Sequence, residues 1–288
     1  MKIGVISHCT IDTIVLDDLS YDVIGGPACY GAYTAKNLKF DVELHTKYGP
    51  DFPVELDDFK ILTPEPLSTN KTTHFKIELN GSDRKLFLQE KCVPIDYVDT
   101  KSDGLIISPV FDEISSDVFS KIKKTSNFTM LDPQGFLRRK NTENEIFLDQ
   151  TNIDLSDISA IKTNLDEIKS LTGLTGYDAM KALQSKGIEF VVLTNKKDIS
   201  LLVKDKIYTI SLPNLALHDT TGIGDIFSTT FCCTMLKEND FLWALCFAGG
   251  AAQGAIENKK IGLEKIPQKG LIENNGSYFY NMVKFQTV

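Results

Sequence analysis

The sequence predicts an α/β protein built on a central, mostly parallel sheet with helices on both faces. Three observations predict it. From about residue 103 onward, short apolar runs alternate with helical segments, the pattern of successive β-α-β units. The run after Asp225 (Ile226, Phe227, Phe231, Met235, Leu236) is apolar at helical spacing and follows a glycine-bearing loop, so a buried helix begins there. Residues 72–89 alternate polar and apolar around Asn80-Gly81-Ser82-Asp83, a hairpin signal that stands apart from the parallel pattern.

In chain order, Lys2 to Ser7 reads as a buried strand, and Asp12 follows in a turn-like stretch. Gly25-Gly26-Pro27 opens a helix that runs to about Leu38, with Pro27 suited to its first turn. Val42 to Thr46 is a strand. The hairpin pairs Thr72–Leu79 with Arg84–Gln89, one face of it apolar (Phe75, Ile77, Leu79). Strands are expected at Gly104–Ser108, Asn127–Leu131, Ser159–Thr163 and Phe190–Leu193, with helices near Asp112–Lys124, Asn164 to about Leu171, and Asp178–Ser185. Ile199–Val203 and Ile207–Ile210 are two further strands. After the buried helix, Phe241–Ile256 is a second apolar helix whose small residues allow close packing, and the tail from Ile272 is helical in part.

The 288 residues are 42% hydrophobic and 24% charged, enough for one large domain or two smaller ones. A net charge of −8 argues against nucleic-acid and anionic-membrane partners. No apolar run reaches the roughly 20 residues of a membrane span, and the first residues are too strand-like for a signal peptide. The six cysteines show no metal-ligand spacing, so they read as reduced thiols of a cytoplasmic protein.

Ligands of such a sheet lie beyond the carboxyl ends of its strands, and the chemistry-bearing residues fall there. His218-Asp219-Thr220-Thr221-Gly222-Ile223-Gly224-Asp225 runs from loop into helix. A helix start offers unpaired N–H groups and a partial positive charge, which suits a phosphate. Asp225 is then placed to accept a proton from an attacking hydroxyl. An ordinary capped helix, with Asp219 or Thr220 as cap, explains the same letters. The Gly25-Gly26 pair leaves bare backbone for a ligand, or makes a tight turn. Asp132-Pro133-Gln134-Gly135-Phe136-Leu137-Arg138 breaks regular structure after a strand and frees Gln134 and Arg138 to face a cleft. Asn164 and Glu167 have the spacing of a capping box, a complete explanation without any ligand.

The segment at 219–225 resembles the C-terminal signature of the PfkB (ribokinase-like) family of carbohydrate and nucleoside kinases, roughly Asp-Thr-x-Gly-Ala-Gly-Asp. Asp219, Thr220, Gly222, Gly224 and Asp225 match it, and Ile223 stands for Ala. Lys162-Thr163-Asn164-Leu165-Asp166-Glu167 resembles the family's Asn-x-x-Glu motif, and the Asp-Pro-Gln-Gly-x-x-Arg stretch is similar to a branch that includes myo-inositol kinase. The resemblance covers nearly the whole chain. It implies a ribokinase-like fold in one domain with a small β-sheet lid, its strands from about 10–24 and 70–92, that in the family often mediates dimerisation. It implies phosphoryl transfer from ATP to a hydroxyl of a sugar, polyol or nucleoside, with Asp225 as base and the amides of Gly222, Ile223 and Gly224 around the moving phosphoryl group. Asp12, Gly25, Gly26, Gln134 and Arg138 would bind the acceptor. Asn164, Thr194, Lys196, Thr220 and Asn258 would face the nucleotide, and Asn164 and Glu167 would hold Mg²⁺ through water. A monovalent cation is left open. Two departures stand out: Tyr30 where many members have Asn, which tilts against ribose, and Lys196 where the family has Gly. Tyr30 or Phe111 could stack a nucleoside base. A catalytically silent sugar- or nucleotide-binding protein on the same fold is the alternative. A dinucleotide oxidoreductase is disfavoured because no GxGxxG follows the first strand.

Overall fold

The computed structural model describes residues 1–16, 19–53, 56, 59–62, 67–80, 83–213 and 220–288. The chain opens with β1 (Lys2–Ile6). Strands β2 (Thr10–Leu16) and β3 (Leu19–Gly25) then form an antiparallel pair leading into α1 (Gly26–Asn37). β4 (Asp41–His45) and β5 (Lys60–Ile61) precede the hairpin strands β6 (Thr73–Asn80) and β7 (Asp83–Glu90). The two residues expected at the tip of that hairpin, Gly81 and Ser82, lie outside the described residues.

The alternating region follows: β8 (Ser102–Ile107), α2 (Ser116–Ile122), β9 (Ser126–Leu131), the single turn α3 (Gln134–Leu137), the ribbon β10 (Arg138–Lys140) and β11 (Ile146–Leu148), β12 (Ala160–Asn164), α4 (Leu165–Thr172) and α5 (Gly176–Gln184). A meander of β13 (Phe190–Asn195), β14 (Asp198–Val203) and β15 (Lys206–Ser211) leads toward α6 (Ile223–Glu238). The chain ends with α7 (Phe241–Glu257), a 3₁₀ turn at Gly262–Lys265, α8 (Lys269–Met282) and β16 (Lys284–Thr287).

Ten strands form the main sheet in the order β16-β15-β14-β13-β12-β9-β8-β1-β4-β5. It is parallel from β13 across to β5, and antiparallel from β13 out to β16. Successive side chains of a strand point to opposite faces, so each central strand feeds two cores. Ile106 and Val192 join α1, α6, α7 and α8 on one face. Leu105, Ile107, Val191 and Leu193 join α2, α4 and α5 on the other. Burial on both faces is why these strands read as continuous apolar runs. Helix α6 is buried along Ile226–Met235 because it sits between the sheet, α1 and α7. Among the described residues no helix is long and apolar enough to cross a membrane.

A second sheet, in the order β3-β2-β6-β7, stands apart from the first. Its apolar face brings Ile14, Val23 and Ile77 together. The structure corrects two sequence expectations here and elsewhere. Asp12 lies not in a turn but within β2, opposite Phe75 of β6. Its carboxylate takes a buried position in the strand's alternation (Thr10, Asp12, Ile14), which hid the period. The stretch after Pro133 forms one helical turn rather than irregular loop. The tail is helical in part, as expected: α8 gives way at Val283 to an edge strand, β16, paired with β15.

Candidate active site

A polar cavity of about 200 Å³ lies between the small sheet and the carboxyl ends of the parallel strands. The small sheet contributes Thr10 and Asp12 from β2, Phe75 and Ile77 from β6, and Arg84 from β7. From the main body come Asp132 after β9, Gln134 and Arg138 around α3, and Lys162, Asn164 and Glu167 at the β12–α4 junction. Thr220, Thr221, Gly222, Gly224 and Asp225 close it from the start of α6.

Gly222 is the N-cap of α6, with φ 80°, and no side chain caps the helix. That left-handed conformation suits glycine. A Cβ there would also run into the ring of Tyr30, which is fully buried and packs against Gly222. The first N–H groups of the helix are therefore left without an intrahelical partner where Gly222 and Gly224 line the cavity. The N–H of Ile223 is the exception, turned back to the Thr220 carbonyl at 3.3 Å; Ile223 does not line the cavity, whereas Gly222 and Gly224 do. Asp219 and His218 lie outside the described residues.

Asp225 sits in the first turn of α6 at the cavity floor. Burial pushes its carboxyl up to about 7, and the nearby Asp132 charge adds to the rise against the opposing pull of Lys162 and Arg138. A carboxylate poised near neutrality inside a cavity has the protonation behaviour of a general base. Asp12 faces it from β2. The Asp12 carboxylate rests against the α-carbon of Gly25, where any side chain would displace it. Gly25 thus positions Asp12 without lining the cavity itself, while Gly26 does line it.

Asp132 and Lys162 form a buried pair, Lys162 Nζ donating to Asp132 Oδ2 at 2.7 Å. Burial works against the Lys162 charge, but Asp132 and Glu167 outweigh it and hold the ammonium above its ordinary range. A Cβ at Gly224 would lie 2.9 Å from Lys162 Nζ, so the ammonium stands directly beside the start of α6. Gln134 and Arg138 both reach the cavity and hold each other. Arg138 donates to Gln134 Oε1 at 2.7 Å and to the Val110 carbonyl at 2.9 Å, and its guanidinium lies 5.7 Å from the centre of the Phe75 ring. Asn164 and Glu167 complete the capping box: Asn164 Oδ1 accepts from Asp166 N and Glu167 N, and Glu167 Oε2 accepts from Asn164 N at 2.8 Å. Burial holds the Glu167 carboxyl above the usual carboxylate range.

Three residues expected at the nucleotide lie outside the cavity wall. Thr194 donates to the Thr163 carbonyl at 3.2 Å. Lys196 is exposed in the β13–β14 turn at φ 52°. Asn258, at the end of α7, donates to the Lys265 carbonyl at 2.6 Å.

Sequence reasoning passed over Thr10, Arg84, Asp132 and Lys162. Two of them were within reach of a strand's period of two: Thr10 shares a face with Asp12, and Lys162 with Asn164. The Thr10 hydroxyl is buried with no partner among the described residues, which leaves it available to a ligand.

No protein-family model and no curated protein matches the sequence. Solved structures do match along almost the whole chain. A pyrophosphate-dependent kinase in the ribokinase family, complexed with a pyrophosphate analog and myo-inositol, superposes with a TM-score of 0.80 at 19% identity, over 94% of this chain and 99% of that one. The chain has the ribokinase fold. The ribokinase fold is shared by the ribokinase of Arabidopsis thaliana complexed with ribose and ATP (TM-score 0.73, 17% identity, 95% of this chain and 98% of that one). It is shared too by the nucleoside kinase of Methanocaldococcus jannaschii (TM-score 0.70, 16% identity, 96% and 98%). Within this ribokinase fold, the small sheet lines one side of the cavity through β2, β6 and β7.

Proposed function

We propose that the protein is a kinase that transfers a phosphoryl group to a hydroxyl of a small polyol of the myo-inositol type. The observation that carries this reading is Asp225, a buried carboxylate with its pKa near neutrality, set in the first turn of a helix whose opening residues Gly222 and Gly224 line the same cavity. Asp12, the Thr10 hydroxyl, Gln134 and Arg138 would orient the acceptor, carboxylate and amide oxygens accepting from its hydroxyls. As the acceptor oxygen bonds to the terminal phosphorus of the donor, its proton passes to Asp225. The bond between that phosphorus and the bridging oxygen breaks, and the remainder of the donor leaves with the negative charge. The N–H groups of Gly222 and Gly224 and the Lys162 ammonium would stabilise the charge on the phosphoryl oxygens. The small sheet acts as a lid that keeps water from the phosphoryl group. A cavity of about 200 Å³ floored by Tyr30 favours a single small ring over a nucleoside.

ATP is the donor we infer, with Mg²⁺ neutralising its phosphates when bound. Glu167 and Asn164 line the cavity and would hold Mg²⁺ through water, their carboxylate and amide oxygens suiting a cation that keeps several waters. Glu167→Gln preserves the capping box and removes the charge. We expect it to raise the Mg²⁺ concentration for half-maximal rate about 10–100-fold, read from a Mg²⁺ titration; an unchanged midpoint would remove Glu167 from the metal's surroundings. Inorganic pyrophosphate is the second donor reading. Its support is the Asn258 amide, spent on the Lys265 carbonyl rather than on a base, together with the pyrophosphate-dependent kinase that shares the fold.

The test is acceptor-dependent release of ADP or phosphate from ATP or pyrophosphate, across myo-inositol, ribose, fructose, 2-keto-3-deoxygluconate, cytidine and adenosine. Release with a polyol supports the reading and names the donor. A folded protein that binds a donor but turns over none of these supports the silent binder instead.

The pH profile follows from Asp225. A base must be ionised, so kcat/KM for the donor, which reports the free enzyme, should rise with pH through about 7. Asp132→Asn removes a charge that raises the Asp225 pKa and frees Lys162 to lower it further. The acid limb should move to lower pH in that variant; a limb that stays or moves up contradicts the assignment.

A further inference from the structure

Lys265 is the last residue of the 3₁₀ turn after α7, and its side chain is fully buried. An ammonium taken out of water is costly unless it is paired or hydrogen-bonded. This one crosses to the loop ahead of α6 and donates to the Thr221 carbonyl at 2.8 Å. The Thr221 carbonyl and the Gly222 N–H belong to one peptide unit. In a trans peptide these two groups point in opposite directions, so a donor fixed on the carbonyl side fixes where the N–H points. Gly222, at φ 80°, gives the backbone little resistance of its own to a flip of that unit. A cation on the carbonyl also polarises the peptide and strengthens its N–H as a donor.

The other end of Lys265 is held equally firmly. Asn258 donates to its carbonyl at 2.6 Å, which ties the turn to the end of α7. Gly262, at the head of the turn, packs close to Val23 of β3, so the same turn abuts the small sheet.

We propose that Lys265 is a positioning residue for the anion loop: its ammonium holds the Thr221 carbonyl and thereby aims the Gly222 N–H into the cavity, toward a phosphate of the donor. This rests on the proposed kinase reading for the identity of the anion, but not for the anchoring of the loop. Asn258 acts in the same device by anchoring the turn that carries Lys265.

The experiment measures pyrophosphate binding by calorimetry and turnover by product release, in the wild type, in Lys265→Ala and in Lys265→Met. Methionine keeps most of the buried stem and removes only the ammonium. Loss of a charge-assisted hydrogen bond should weaken pyrophosphate binding about 10–100-fold in either variant, with KM for the acceptor little changed. Ethylammonium, small enough for the space left in Lys265→Ala, should restore much of the lost affinity. Either variant binding pyrophosphate like the wild type overturns the proposal. So does a folded Lys265→Ala, judged by its melting temperature, that loses affinity and is not rescued by ethylammonium. If Lys265→Ala does not fold, Lys265→Met decides alone. A wild type that turns over no acceptor, yet shows this pattern of anion binding, sinks the kinase reading and keeps the loop inference. A wild type that binds no pyrophosphate or ATP overturns both.

Discussion

Replacing Asp225 by Asn is expected to lower acceptor-dependent turnover by about 10²–10⁴-fold, the span for loss of a general base, while making the protein more stable. The two effects have one cause. The carboxyl lies at the floor of the cavity with its pKa pushed up to about 7 from 3.8. Between those values the unfolded chain gives up the proton and the folded chain keeps it. Stability therefore falls as pH rises from about 4 to about 7, then levels off. The accumulated penalty is on the order of a few kcal/mol at pH 8. Asn does not ionise and escapes it. Differential scanning fluorimetry should show the variant melting several degrees higher at pH 8, at about 2–4 °C per kcal/mol, with the gap closing near pH 4. Donor affinity should be nearly unchanged. Full turnover in the variant would remove Asp225 as base, and a lower melting temperature at pH 8 would contradict its burial as an ionised group.

Lys162→Met should cost both stability and turnover. Its ammonium is the partner of Asp132, which is fully buried, at 2.7 Å. Removing one member of such a pair leaves a buried charge uncompensated, a loss of about 3–5 kcal/mol. Because the ammonium also stands beside Gly224, kcat should fall by about 10²–10³-fold, the effect of losing a transition-state donor. The two consequences separate in the double variant Lys162→Met/Asp132→Asn. Neutralising both partners should restore much of the stability in urea denaturation and none of the turnover. If the double variant works like the wild type, Lys162 serves only Asp132.

Much of this architecture could be read from the residues. The strands that became β1, β4, β8, β9, β12 and β13 announced themselves as short apolar runs because a parallel sheet is buried on both faces. The start of α6 was legible because Gly222, Gly224 and Asp225 act locally: a left-handed N-cap, a close approach and a first-turn acid are properties of consecutive residues. The Asn164–Glu167 capping box was legible for the same reason. The short ribbon β10–β11 and the edge strand β16 left no comparable trace, since three- and four-residue strands have too few positions to display a period. Asp12 was picked out as an acceptor ligand, but only the family resemblance placed a strand over 10–24; the residues alone read as a turn, because a carboxylate occupies a position where the alternation calls for an apolar side chain.

By itself, then, the order of residues determined the class of fold, the position of the buried helix, and the loop at which an anion could meet a carboxylate. These depend on contacts between neighbours in the chain and on hydrophobic period. The tertiary structure decided the rest. It joined Lys162 to Asp132 across 30 residues and Lys265 to Thr221 across 44. It set Tyr30 against Gly222 and drew Arg138 back onto Gln134. It left Thr194, Lys196 and Asn258 outside the cavity wall. A buried charge is tolerated only where distant elements bring it a partner, and no periodicity along the chain records which partner that will be.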